Sequence, residues 1–419
     1  MAISKFLRDN ITIMIGFGLG GIINYVFQVY AGRKLGPENY GTFGTLFAIV
    51  MVAWIASSAI ERVISRFTSI HTGNNEAGKV KSLIVKSVGK GIRWGLLLLL
   101  CYIPVQGYIA GFLGIDDPLL MTLLGIIGFF TIFLPISTGA LNGLQRFGWQ
   151  SGQIMINSGA RLIFGVILIY AGFSVFGAMV AVLLGIVIST LVGFIPLLPI
   201  LREKRQKIIR REVYQYTLPV FLGTLLPMLL ITVDIVMVKN AFSAIEAGYY
   251  NAAMVFGRAL WLSASFLGTV MFPKISNDQT GSVNILKKTL LLSSAVIAAI
   301  LFVYCLIPGL LADLMFGEGY EIADLVIRAG IAYALFSLSH IVIMYNMATS
   351  RFSFNYLLVA AIAIEIVGIR FLAASITDVI VLVAAVNLAL LAALLIFTFG
   401  GFLGKHGKVA AREIKPLHA

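Results

Sequence analysis

Charged residues are scarce in this chain. Only 12% of its 419 residues are Asp, Glu, Lys or Arg, whereas about 25% is usual for a soluble domain. Hydrophobic residues reach 59%, and the mean hydropathy is +0.98. So few charges cannot cover a water-facing surface, which excludes a cytosolic enzyme, a nucleic-acid-binding protein and a disordered chain. Most of the surface is expected to face lipid.

Cysteine and histidine are also rare. Both cysteines, Cys101 and Cys305, lie inside apolar runs, and two of the four histidines lie near the C-terminal end of the sequence. This pattern indicates neither a disulfide framework nor a cluster of metal ligands. The sequence therefore predicts no metal and no cofactor.

Long apolar runs occupy most of the chain. A hydrocarbon core of about 30 Å takes roughly 20 helical residues. The runs are too long for strands of a membrane barrel and lack alternation, so an all-α polytopic membrane protein is predicted. Twelve spans are expected, at residues 10–32, 40–64, 86–111, 118–143, 151–171, 174–200, 215–238, 246–270, 286–310, 321–348, 353–374 and 377–402.

The net charge of +13 is distributed unevenly along the chain. Of the 31 Lys and Arg residues, 23 fall in alternate connecting segments and the two ends, and 3 fall on the opposite side. Basic residues favour the cytoplasmic side of a membrane protein. We therefore predict a multi-pass protein of the cell (inner or plasma) membrane with cytoplasmic N- and C-termini.

The two halves of the sequence resemble each other. The segments around Gly41 and Gly248 are 207 residues apart, Cys101 and Cys305 are 204 apart, and Arg146 and Arg351 are 205 apart. Three matches in register favour a duplicated unit of six spans, with parallel repeats because six is even. The predicted organisation is an N-lobe at 1–200, a basic linker at 201–213, a C-lobe at 214–402 and a tail at 403–419, which is typical of alternating-access transporters.

Three motifs carry a family resemblance. They are GRKLGPENYGTF at 32–43, LNGLQRF at 141–147, and Asp234 followed by EAGYYNAA at 246–253. Together they resemble the polysaccharide transport family of O-antigen-type flippases, within the multidrug/oligosaccharidyl-lipid/polysaccharide exporter superfamily. The resemblance implies two six-helix bundles that flip a polyprenyl-pyrophosphate-linked oligosaccharide to the outer leaflet.

Two arginines lie in the middle of predicted spans. A charge there costs at least about 2.5–3.5 kcal/mol, so Arg161 and Arg258 each need a partner or a wet cavity. Guanidinium groups bind phosphate through two parallel hydrogen bonds, which predicts a pyrophosphate site in a central cavity. The alternative is that each arginine pairs with a buried carboxylate and holds helices together.

Acidic and amide side chains supply further candidates. Asp234 and Glu365 are predicted ion-coupling residues, although each could also pair with a neighbouring cation, and Glu61 is a predicted gate residue. Asn24 and Gln28 lie one turn apart and are expected to bind sugar hydroxyls or to bond between helices.

The sequence thus favours a monomeric flippase for a lipid-linked oligosaccharide, in contact with membrane lipids and coupled to H⁺ or Na⁺. A cation-coupled multidrug exporter of the same superfamily is the alternative, and it predicts an acidic cavity around Asp234 and Glu365. A membrane-embedded glycosyltransferase would need a catalytic carboxylate or a long extramembrane loop. The longest outer loop has only around ten residues, so no enzyme is expected.

Overall fold

The structure is a computed structural model that describes residues 2–206, 217–277, 281–317 and 319–403. Within these ranges the chain is helical almost throughout and forms no β-strand, so the predicted all-α class is confirmed. Most of the predicted tail, and residues 207–213 of the predicted linker, lie outside the described residues.

The first half of the chain forms long helices joined by short turns. They are α1 (Ala2–Gly73), α2 (Ala77–Leu113), α3 (Pro118–Thr131), α4 (Leu134–Gly143), α5 (Phe147–Leu168), α6 (Ser174–Phe194) and the short α7 (Leu198–Leu201). A turn of π-helix, Ile169–Phe173, links α5 to α6.

The second half is also built of helices joined by short connections. It contains α8 (Thr217–Ala241), α9 (Ala244–Asn277), α10 (Ser282–Leu306), α11 (Pro308–Phe316), α12 (Ala323–Ala348), α13 (Asn355–Phe371) and α14 (Ile376–Leu403).

Two breaks divide the longest helical stretches. Gly36, with φ 71° and ψ 170°, interrupts α1 directly before Pro37, and only glycine adopts that combination at low cost. Gly172, with φ 89°, breaks the chain between α5 and α6. Each break lies where the sequence places a connection between two predicted spans.

Ten helical stretches among the described residues are long and apolar enough to cross a membrane. Two of them, Ile15–Gly73 and Phe147–Leu201, contain 59 and 55 residues, enough for two crossings of about 20 residues each. The chain is therefore a multi-pass membrane protein, and twelve spans remain a prediction.

The turns of the two halves match in geometry. Gln145 and Ser350, 205 residues apart, both take a left-handed conformation, with φ 56° and 57°. In each turn the next residue is an arginine, and its N–H bonds to the carbonyl five residues back, at 2.9 Å for Arg146 and 2.8 Å for Arg351. The guanidinium of Arg146 donates to the carbonyl of Pro196, and that of Arg351 donates to a carbonyl of α14. These matches support the duplication.

The chain divides into two compact units. Unit 1 extends to Phe221 and also contains Lys239–Asn251 and Met315–Tyr320. Unit 2 contains Leu222–Val238, Ala252–Leu314 and the described chain from Glu321 onward. The units thus differ from the predicted lobes in two short segments of the second half that belong to unit 1, and the predicted boundaries at 200 and 214 remain predictions.

Each unit has its own apolar core and an outer surface with many exposed apolar side chains. In unit 1 a core cluster joins α1, α2 and α4 around Ile64, Ile84 and Ile136. In unit 2 Leu286 and Tyr345 belong to a similar cluster of α9, α10 and α12. Large apolar side chains remain exposed on α2 and α10, which is expected of helices that face hydrocarbon rather than water.

Candidate substrate and ion sites

One face of α5 is polar along most of its length. Arg146, Gln150, Gln153, Asn157 and Arg161 follow one another at spacings of four, three, four and four residues, which places them on one side of the helix. Gln150 and Gln153 are buried, and Arg161 is only 9% exposed. The stripe runs inside unit 1, because α5 packs against both α1 and α6.

Arg161 lies at one end of this stripe and bonds to two amides. Its guanidinium donates to Oδ1 of Asn24 at 2.7 Å and to Oδ1 of Asn157 at 2.8 Å, and it lies 5.2 Å from the ring centre of Phe47. The amide group of Asn157 donates in turn to the hydroxyl of Ser189 at 3.0 Å. These contacts fix the orientation of the guanidinium.

None of these contacts neutralises the charge of Arg161. Within the described part of the chain its hydrogen-bond partners are amides rather than carboxylates, and its buried Nε has no acceptor. A buried cation usually requires an opposite charge, because desolvation costs several kcal/mol. The expected alternative, a carboxylate that pairs with Arg161, is therefore not found among the described residues.

The two amides of α1 both have partners inside unit 1. Asn24 accepts from Arg161, and Oε1 of the buried Gln28 accepts from the hydroxyl of Tyr40 at 3.2 Å. Their predicted contact with sugar hydroxyls remains a prediction. The structure adds that Asn24 also positions the arginine.

A second charged cluster lies in unit 2. Asp234 of α8 and Glu365 of α13 are each 1% exposed and interact electrostatically with each other. Tyr333 of α12 interacts with both carboxylates and with Arg258 of α9. Four residues from four helices thus form one group, in which Asp234, Glu365 and Tyr333 are buried and Arg258 is half-buried.

The charges in this cluster do not balance. When Asp234, Glu365 and Arg258 are all ionised, their formal charges sum to minus one. Oε1 of Glu365 has no hydrogen-bond partner among the described residues. The excess negative charge makes this cluster a candidate cation site, because buried like charges destabilise each other. Glu365 thus interacts with a second carboxylate, Asp234, whereas the sequence left open a pairing with a neighbouring cation.

Glu61 belongs to neither cluster. It lies on α1, and its backbone packs so closely against Gly139 of α4 that a Cβ atom there would be 2.5 Å from the Glu61 carbonyl oxygen. Its role as a gate residue remains a prediction.

Sequence reasoning missed three residues of these sites. Asn157 could have been found from the amide stripe, since residues 150, 153 and 157 share the face of Arg161. Phe47 and Tyr333 lie in apolar runs with many aromatic residues, so nothing in their local sequence distinguishes them.

Comparisons with known proteins place this helical membrane protein in a family. A family model described as polysaccharide biosynthesis protein matches residues 6–279. The chain belongs to this family, which confirms the resemblance noted in the sequence. It is 23% identical over 328 residues to a putative O-antigen transporter of Shigella flexneri, covering 76% of this chain and 78% of that one.

Solved structures show the same fold. An inward-facing multidrug resistance MATE family transporter of the MOP superfamily superposes with a TM-score of 0.73, at 15% identity, covering 93% of this chain and 98% of that one. The lipid II flippase MurJ, in an inward closed conformation, gives 0.69 at 15% identity, covering 93% and 87%.

Proposed function

We propose that the protein flips a polyprenyl-pyrophosphate-linked oligosaccharide from the cytoplasmic to the outer leaflet by alternating access. The observation that supports this most is Arg161, a buried cation whose described partners are all uncharged. An anionic substrate supplies the missing charge, whereas a cationic one would be repelled. The O-antigen transporter relative supports a substrate of this class.

The geometry of Arg161 suits a phosphate group. Its two bonds to Asn24 and Asn157 use two of the five N–H donors of the guanidinium, which leaves Nε among the remaining three. Phosphate oxygens form shorter and stronger bonds to guanidinium than amide oxygens do. The incoming phosphate therefore replaces Asn24 as a partner, and the polyprenyl tail stays in the lipid.

In this proposal the cluster of unit 2 supplies ion coupling. Asp234 and Glu365 together bind one H⁺ or Na⁺. The positive charge of Arg258 compensates the negative charge that remains. Arg258 was expected to bind phosphate, but two carboxylates in its cluster oppose an anion there. We therefore assign the phosphate to Arg161 and the ion to the Arg258 cluster.

The test replaces Arg161 and measures polymer export in cells. Arg161→Gln keeps polar atoms without the charge, and we expect export to fall at least about tenfold, since one charge-assisted bond contributes about 1.5–3 kcal/mol. The matched control is Arg370→Gln, an exposed arginine of α13 that lies beside the ring of Phe371. Normal export by Arg161→Gln, at equal membrane abundance, contradicts the proposal.

The second candidate function is a cation-coupled multidrug exporter. The excess negative charge of the Asp234 and Glu365 cluster favours it, because cationic drugs would be attracted there. This candidate predicts drug resistance on overexpression that Glu365→Gln abolishes and Arg161→Gln leaves intact. The flippase proposal predicts no such resistance.

We further propose that the protein acts as a monomer in the inner or plasma membrane, with both termini in the cytoplasm. The distribution of basic residues, with 23 of 31 on one side, supports this orientation of the termini.

A further inference from the structure

The two glycine motifs that are related by the repeat pack against each other. Gly41 of α1 and Gly248 of α9 are 207 residues apart, and both lie in unit 1. A Cβ atom added to Gly41 would lie 2.7 Å from the backbone nitrogen of Gly248 and 2.6 Å from the carbonyl oxygen of Ala244. The two backbones are therefore in direct contact.

This contact has local twofold pseudosymmetry. Gly248 packs against the carbonyl group of Pro37, just as Gly41 packs against that of Ala244. Pro37 and Ala244 are also 207 residues apart, so the same pair of contacts occurs twice with the partners exchanged. Such an exchange is what a twofold axis produces between two copies of one motif.

A third pair of equivalent positions lies on the same axis. Gly44 and Asn251 are again 207 residues apart, and a Cβ atom on Gly44 would lie 2.6 Å from the side-chain carbon of Asn251. The amide of Asn251 donates to the carbonyl of Gly41 at 3.3 Å. The side chain of Asn251 thus fills the space beside Gly44 and bonds to the backbone of Gly41.

Residues of segment 315–320, which also belongs to unit 1, add contacts to α1 beside the glycine contact. The hydroxyl of Tyr320 donates to the carbonyl of Gly32 at 2.7 Å, and Nε of Arg33 donates to the carbonyl of Met315 at 3.0 Å. The ring of Phe316 occupies the space beside Gly32. Segments 239–251 and 315–320 are therefore both attached to α1 near its break at Gly36.

We propose that this contact, here called the glycine clasp (residues 37–44 with 244–251), is the closed outer gate of the transport path. The clasp lies on the side that the basic residues avoid, which is the predicted exterior. Segments 239–251 and 315–320 continue helices whose other residues belong to unit 2, and in this proposal they separate from α1 when the path opens. Backbone contacts between small residues separate without repacking large side chains.

The clasp is continuous with the Arg161 site. Asn24 and Gln28 lie one turn apart on α1, and Gln28 bonds to Tyr40, the residue before Gly41. On the other side Phe47 packs on Arg161 and stacks against Phe43 at 5.7 Å. The gate rests on the proposed transport function, but it does not depend on the assignment of the phosphate to Arg161.

Disulfide trapping tests the gate. In a background with Cys101→Ala and Cys305→Ala, the pair Gly44→Cys and Asn251→Cys joins the two equivalent positions. We expect oxidation to cross-link the pair and to reduce export to background, and a reductant to restore it. The single-cysteine variants are the controls and should export equally with and without oxidant.

Two outcomes overturn the gate: cross-linked protein that exports normally, and a pair that never cross-links in the membrane. A second measurement tests the gate if the double-cysteine variant does not fold. Gly41→Ala has no room for its methyl group, whereas Gly128→Ala, in α3, meets no atom within 4 Å. We expect Gly41→Ala, but not Gly128→Ala, to increase severalfold the labelling of an Asn251→Cys probe by an impermeant maleimide. Equal labelling in the two variants contradicts the gate.

Discussion

The guanidinium of Arg161 donates a hydrogen bond of 2.8 Å to Oδ1 of Asn157, one turn earlier on α5. The partner is an amide at a position where a carboxylate would have the same shape. This relationship allows the charge of the site to be changed without changing its geometry.

The substitution Asn157→Asp therefore places a negative charge beside Arg161. We expect polymer export to fall about tenfold or more, because the new pair leaves no excess charge for a phosphate. Protein abundance and thermal stability should not fall, since the pair is buried and hydrogen-bonded. Asn157→Ala is the control: it removes the acceptor without adding charge and should retain more export. Wild-type export by Asn157→Asp would show that the uncompensated charge is not needed.

The carboxylates of unit 2 should set the response to an ion gradient. In Glu365→Gln the formal charge of the cluster with Asp234 and Arg258 becomes zero, which removes the reason to bind a cation. We expect flipping in proteoliposomes to lose its dependence on an imposed proton or sodium gradient. Glu321→Gln, an exposed carboxylate, is the control and should keep that dependence. Gradient-driven flipping by Glu365→Gln would exclude the coupling role.

The turn at Gln145 should accept glycine more readily than a helix does. Gln145 has φ 56°, and left-handed backbone costs a non-glycine residue about 1–2 kcal/mol. We expect Gln145→Gly to raise the unfolding temperature in detergent, and Ser350→Gly to do the same in the second half. Gln106→Gly, inside α2, should lower it, because glycine destabilises helix interiors by about 0.5–1 kcal/mol. Equal shifts at residues 106 and 145 would contradict this assignment.

Asp117 begins α3 and should stabilise it. Its carboxylate accepts from the N–H groups of Leu119 at 2.8 Å and Leu120 at 3.3 Å. Removal of such a cap costs about 0.5–2 kcal/mol, so Asp117→Ala should unfold at lower temperature. Asp117→Asn keeps an acceptor and should behave like the parent protein, as should Asp116→Ala. A destabilisation that is equal at 116 and 117 would show that charge rather than capping is responsible.

Labelling from one side of the membrane tests the predicted orientation. In the cysteine-free background, Asp116→Cys should react with an impermeant maleimide added outside intact cells. Lys204→Cys should react only after the membrane is permeabilised, because it lies in the basic segment. The reverse pattern would invert the topology and would move the glycine clasp to the cytoplasmic side.

Much of the fold could be predicted from local sequence. Apolar length gave the all-α membrane class, and the matched positions of Arg146 and Arg351 indicated a duplication that the two turns support. Gly36 and Pro37 signalled a connection between two spans, and the structure has a break in α1 at Gly36.

The candidate sites were only partly predictable. The individual charges stand out, since any ionisable residue in an apolar run does. Their partners do not, because Arg161 bonds to Asn24 across 137 residues of sequence. The glycine motifs were noted as matching segments, and nothing in their spacing indicated that they touch.

The sequence by itself determined what solvent this protein meets, because hydrophobicity, span length and basic-residue bias are local properties of the chain. It also indicated a duplication of the chain. Only the tertiary structure decided which buried charges are neighbours: Arg258 lies with Asp234 and Glu365, whereas Arg161 bonds to amides. The physical reason is that each helix buries several faces in a low-dielectric interior, and helix packing alone selects which of those faces meet.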